Sequence, residues 1–253
     1  MLIDTLLFFV GIMVGVMNAI AGGGMLLGFP VLLAVGIPPL MANATSSLIV
    51  LPGQLASALG YRDYLRKTPR IYLWLVVPCA VGGGIGATIL RHTPSKNFEQ
   101  LVPGLILFAV VLFAFQPLLH HQLHKHLKSR AKRVGPLFYI ALALLPLGIY
   151  GGYFGAGFGF VMLAFLGFTK LQDTHQMNAI KNMAAASMAL VSIICLYSAG
   201  LIDWHHGLAM AAGNTVGGYS GAVLAQKIPS HTIRMIVISI GFATAIYLFL
   251  KTY

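Results

Sequence analysis

From Thr5 to Tyr61 the chain carries no formal charge, and a second uncharged run extends from Val134 to Thr169. Stretches of that length cannot form a water-facing surface. Only 8% of the 253 residues are charged and 58% are hydrophobic, whereas a soluble domain carries about a quarter charged residues. The medium is therefore lipid, and the expectation is an all-α, multi-pass membrane protein. The net charge of +11 does not indicate nucleic acid. Its basic residues cluster at the ends of apolar segments, as cytoplasmic loops require, and no basic face interleaved with aromatics exists. Cys79 and Cys195 stand alone in apolar segments, so neither a disulfide framework nor a metal pair follows. Ala19-Ile20-Ala21 mimics a signal-peptide cleavage site, but no basic residue precedes the apolar run, which reads as a retained span.

Glycine and proline divide the runs. Leu6–Ile20 is one span, Gly22-Gly23-Gly24 a break, Met25–Gly36 a short apolar piece, and Pro38-Pro39 a stop before Leu40–Gly60. Ile71–Leu90 and Leu101–Leu119 complete the first half, residues 1–119. A basic, His-rich connector (120–133) leads to a second half (134–253) with the same layout. There Val134–Thr169 is broken by Gly155, Gly157 and Gly159, and Thr174–Ile202, His205–Gln226 and Met235–Leu250 follow. A single shift of 135 residues superposes Gly22 on Gly157, Gly24 on Gly159, Asn43 on Asn178, Gly82 on Gly217 and Gly86 on Gly221. One register held across so many positions marks a duplicated unit. The expectation is eight full spans and two short segments, each half containing a glycine-broken helix. If the short segments also cross, Lys and Arg divide twelve to three between the two sides with Lys181 set aside. Each half then has an odd number of segments, the repeats are inverted, and both termini lie outside.

Lys181 is the first site candidate, because a lysine deep in an apolar span needs water, a partner or a ligand. All five acids, Asp4, Asp63, Glu99, Asp173 and Asp203, sit at segment ends. An unpaired ammonium facing a cavity suits an anion; the alternative is that it snorkels to the headgroups. Asn178 shares its helix face, while Asn182 points about 100° round. The breaks at Gly22, Gly23 and Gly24 and at Gly155, Gly157 and Gly159 would turn helix N-terminal amides and a positive dipole end toward an anion. The alternative is close helix packing, the reading preferred for Gly82–Gly86 and Gly217–Gly221. Asn43, Thr45, Ser46 and Ser47 form a polar patch that either faces the same anion or bonds across helices. Asn214 and Thr215 are weaker candidates of that kind.

Two other chemistries have traces. His120, His121, His124 and His126 have spacing that could share a divalent metal, yet the surrounding lysines and arginines would repel it, and a basic connector is the better reading. Gly218-Tyr219-Ser220-Gly221 resembles the motif of intramembrane serine proteases, but the last span supplies no histidine base. The readings left open behind an anion carrier are thus a divalent metal-ion transporter and, more remotely, that protease. No catalytic residue, metal or cofactor is expected, and no nucleotide-binding motif is present.

Taken together, Asn18-Ala-Ile-Ala-Gly-Gly-Gly24, Ala42-Asn43-Ala44-Thr45, Gly151-Gly152-x-x-Gly155-x-Gly157-x-Gly159, Asn178-x-x-Lys181-Asn182, Gly200-x-x-Asp203-Trp204 and Gly217-Gly218-x-x-Gly221-Ala222 resemble the TauE/SafE (TSUP) family. The likeness runs from about residue 8 to 250. It implies a small permease in the cell (inner) membrane for sulfite, organosulfonates or related sulfur-containing anions, and the duplicated, glycine-broken layout itself suggests a secondary carrier working by alternating access. The residues themselves reach only as far as a small anion.

Overall fold

The computed structural model describes residues 2–20, 22–111, 136–167, 169, 171, 173–225, 246, 249 and 250. The His-rich connector and nearly all of Met235–Leu250 lie outside these. Every regular element among the described residues is helical. In order they are α1 (Leu2–Ile20), α2 (Met25–Ala34), α3 (Pro39–Gly60), α4 (Arg62–Lys67), a 3₁₀ turn (Arg70–Leu75) running into α5 (Val76–His92), and α6 (95–111). The second half supplies α7 (Pro136–Tyr153), α8 (Phe158–Leu166), α9 (Thr174–Tyr197) and α10 (Trp204–Leu224).

Local chemistry sets the ends. Pro39 opens α3, where a missing N–H costs nothing. The Asp173 carboxylate accepts the His175 N–H at 2.8 Å to start α9, and Asp203 accepts the His206 N–H at 3.1 Å to start α10. The short pieces after the glycine breaks become α2 and α8, of 10 and 9 residues. At 1.5 Å per residue each reaches roughly half the hydrocarbon thickness.

Among the described residues three stretches are long and apolar enough to cross a membrane: Leu2–Ile20, Arg70–His92 and Thr174–Tyr197. Eight full spans were expected. Helices α3 and α10 have the length, at 22 and 21 residues, but not the apolarity. They bury Asn43, Thr45, Ser46, Gln54 and Asn214 against protein. Lipid-facing surface is nonetheless plain. Leu6, Phe9 and Met13 on α1, Val77, Val81 and Ile89 on α5, and Leu190 and Ile194 on α9 are all exposed in helical register. Aqueous monomers do not display such stripes.

The contacts orient the helices. Asp4 meets His205 at 2.9 Å, and Asp203 N–H donates to Thr45 Oγ1 at 2.9 Å, so the starts of α1, α3 and α10 share one side. Tyr61 donates to the Ala19 carbonyl at 3.3 Å, which brings the far ends of α1 and α3 together on the basic side. Helices α1 and α3 therefore run parallel, and α2 returns the chain between them. Tyr61 also stacks on His175, so the start of α9 lies beside the end of α3. Helices α3 and α9, equivalent under the 135-residue shift, run antiparallel.

The two halves also exchange a helix. Helix α10 packs on α1 and α3 of the first half, and α5 packs on α7 and α9 of the second. These pairings map onto one another under the same shift. Glycine allows the close approach: a methyl at Gly82 or Gly86 would strike the carbonyl of Leu145 or Ile149, and at Gly217 that of Ile12. The packing reading of these glycines follows. Gly217→Ala is expected to lower thermal stability in detergent by about 1–3 kcal/mol, as overpacking does. Gly104→Ala, whose methyl meets nothing within 4 Å, should leave the melting temperature unchanged or raise it.

Candidate functional site

The two glycine breaks touch. A Cβ built on Gly22 would lie 2.7 Å from the Gly159 Cα, and one built on Gly159 would lie 2.7 Å from the Gly22 Cα. Gly22 and Gly157 hold φ of +94° and +82°, which only glycine adopts without strain. Beside this contact is a cavity of about 50 Å³, room for more than one water. Asn18 and Gly22 line it from the first break; Gly155, Gly157 and Gly159 line it from the second. Helix α3 contributes Asn43, Ser46, Ser47 and Gln54, and α9 contributes Lys181, Met188 and Ser192.

Lys181 is 1% exposed and turns inward, away from the headgroups. Its Nζ donates to the Asn18 carbonyl and to Asn178 Oδ1, each at 2.8 Å. An ammonium has three donors, so one remains. The Asn18 carbonyl belongs to the last turn of α1, where carbonyls lack helical partners and the dipole end is negative. Lys181 thus caps the helix that ends at the first break. The mirror arrangement exists. Asn43 Nδ2 donates at 2.7 Å to the carbonyl of Tyr153, which closes α7. Tyr153 is the repeat counterpart of Asn18, and Asn43 that of Asn178.

Buried clusters flank the cavity at matching positions. On the basic side Ala19, Tyr61, Ala179 and Ala222 pack together. Their counterparts Phe154, Leu196, Ala44 and Ala87 all belong to the largest core cluster.

The remaining candidates divide. Ser46 lines the cavity, with its hydroxyl bonded to the Ala42 carbonyl at 2.9 Å. Thr45 is off the wall, accepting the Asp203 amide. Asn178 stands behind Lys181. Asn182 is fully buried with neither amide atom partnered, yet it too is off the wall. Gly23 and Gly24 are also off the wall, and the Gly24 N–H is bound to Asn18 Oδ1 at 2.9 Å. At the second break Phe158 N–H bonds the Gly155 carbonyl and Phe160 N–H that of Gly157. Several amides expected to be free are therefore used locally. Asn214 donates to the Ile49 carbonyl at 2.6 Å, and the hydroxyls of Thr215 and Ser220 return to their own helix.

Asn18 and Gln54 escaped the sequence reading as wall residues. The signal was present: Asn18 is the lone amide in Leu6–Ile20, and a lone amide in an apolar span asks for a reason.

The comparisons agree with this layout. The profile of the family described as "Sulfite exporter TauE/SafE" matches residues 7–248. A "Probable membrane transporter protein" of Haemophilus influenzae is 29% identical over 244 residues, covering 94% of this chain and 91% of that one. "Probable membrane transporter protein ORF9" of Sinorhizobium sp is 29% identical over 250 residues, covering 96% and 90%. "Probable membrane transporter protein YfcA" of Escherichia coli K12 is 28% identical over 242 residues, covering 93% and 85%. No solved structure matches. With a glycine-paired, helix-lined cavity and a family profile that spans nearly its whole length, the chain is a membrane transporter of the sulfite exporter TauE/SafE family.

Proposed function

We propose that this protein is a multi-pass inner-membrane secondary carrier for a small sulfur-containing anion such as sulfite or an organosulfonate. The observation that carries the reading is Lys181, the one formally charged residue on the cavity wall among the described residues. It is buried where the two halves meet, with no carboxylate beside it. In a low-dielectric cavity a lone ammonium favours a negative guest. Gly157 and Gly159, at the start of α8, add the positive end of a helix, and Asn43 and Ser46 add orienting groups. Asn178 and Asn182 act from behind, Asn178 by steadying the ammonium.

Alternating access has a physical basis in the paired clasps and clusters. The Lys181–Asn18 clasp and the Tyr61 cluster lie toward the basic side. The Asn43–Tyr153 clasp and the Leu196 cluster lie toward the other. Opening one set while the other holds would expose the cavity to one side at a time. The antiparallel α3 and α9 support an inverted repeat with halves 1–119 and 134–253, the arrangement from which such carriers are built.

Two measurements test this. In proteoliposomes, Lys181→Met should reduce sulfite flux about 10–100-fold, the loss that follows removal of a hydrogen bond to a charged group. Flux equal to wild type would remove the lysine from the site. In detergent, free anion at about 100 times its Kd should stabilise wild type by about 2.7 kcal/mol. A folded Lys181→Met protein should lose that stabilisation.

A further inference from the structure

We infer that the ligand of this cavity is a singly charged anion carrying a second, neutral hydrogen-bonding group, its charged end held by Lys181 and Asn18 and its neutral group received by Gln54. The inference rests on the anion-carrier reading above and says which anions fit.

The first observation is the charge. Among the described residues Lys181 alone is charged on the wall, and two of its three donors are already used by Asn18 and Asn178. One positive charge with one free donor balances one negative charge. A second negative charge would be buried without compensation, which is strongly unfavourable.

The second observation is that equivalent positions have diverged. Lys181 corresponds to Ser46 and Gln54 to Ala189, and all four line the cavity. A duplicated frame has thus become polarised, with the cation contributed by the second half and an amide by the first. A guest alike at both ends would gain nothing from that difference.

The third observation is a pair of orphans. Asn18 is 6% exposed and Gln54 4%. Asn18 Oδ1 is committed to the Gly24 amide, while Asn18 Nδ2 and Gln54 Oε1 are buried with no protein partner. Buried polar groups in folded proteins are paired almost without exception. Asn18 Nδ2 is a donor, and the Gln54 amide, which no hydrogen bond fixes, offers both a donor and an acceptor; the guest that answers both presents an acceptor at one end and a neutral hydrogen-bonding group at the other. Asn18 also offers its carbonyl to Lys181, which brings its free amide hydrogens into the same neighbourhood as the ammonium.

The test uses three probes on the purified full-length protein, read as ligand-dependent thermal stabilisation. They are ethanesulfonate, 2-hydroxyethanesulfonate, which adds one hydroxyl, and 1,2-ethanedisulfonate, which adds a second charge. Wild type should bind the hydroxyl probe about tenfold more tightly than ethanesulfonate and the disulfonate more weakly than either. Gln54→Met should bring the two monoanions within about twofold of each other, and so should Gln54→Ala, which copies the residue at equivalent Ala189. Equal binding of the two monoanions by wild type, a preference that survives in both Gln54 variants, or disulfonate binding as tight as ethanesulfonate would overturn the inference. If the monoanions bind equally but only when Lys181 is present, the anion-carrier reading stands and this refinement alone fails. If no probe binds wild type, both fail together.

Discussion

The structure depends on the contact between Gly22 and Gly159. Two chain segments can meet backbone to backbone at membrane depth only if neither carries a side chain there. Broken helices inside a bilayer leave amides and carbonyls that lipid cannot satisfy. Pressing the two breaks together surrounds them with protein. The carbonyls released at the breaks are then met from the opposite half. Lys181 reaches the Asn18 carbonyl that ends α1, and Asn43 reaches the Tyr153 carbonyl that ends α7. The same arrangement that makes the breaks tolerable also creates the cavity beside them.

Symmetry and its departure do different work. The exchange of α5 and α10 between halves, the glycine faces along them and the buried clusters flanking the cavity all repeat under one shift. Those features set the frame. On the cavity wall the halves differ in chemistry: Lys181 stands where the first half has Ser46, and Gln54 where the second half has Ala189. A carrier built from duplicated halves needs equivalent gates but not equivalent binding groups. Selection for a ligand can therefore act on the wall without disturbing the scaffold.

The lysine has two duties that a single substitution would mix. It caps a helix end, and it places a positive charge on the cavity wall. Asn43 shows that the capping duty alone is met by a neutral amide. The ammonium at the equivalent junction therefore exceeds what packing demands.

Much of this was legible in residue order. Long uncharged runs demanded lipid, since no other solvent accepts them, and the 135-residue register disclosed a duplication because glycines serve backbone approaches that no other residue can replace. Lys181 stood out for the same reason, as a charge with no nearby acid. What residue order could not decide was which polar groups face one another, because helix spacing reports a face and not its neighbour. Thr45 was placed with the anion, yet the fold sends its hydroxyl to the Asp203 amide. Gln54 went unnoticed until α3 and α9 were seen side by side, and Asn18 until the end of α1 met Lys181. The chain by itself determined the solvent, the repeat and the one buried charge, because those follow from composition and period. Only the tertiary structure decided that the halves trade helices and that the breaks touch, because such contacts join residues far apart in the chain, Gly82 with Leu145 and Gly22 with Gly159.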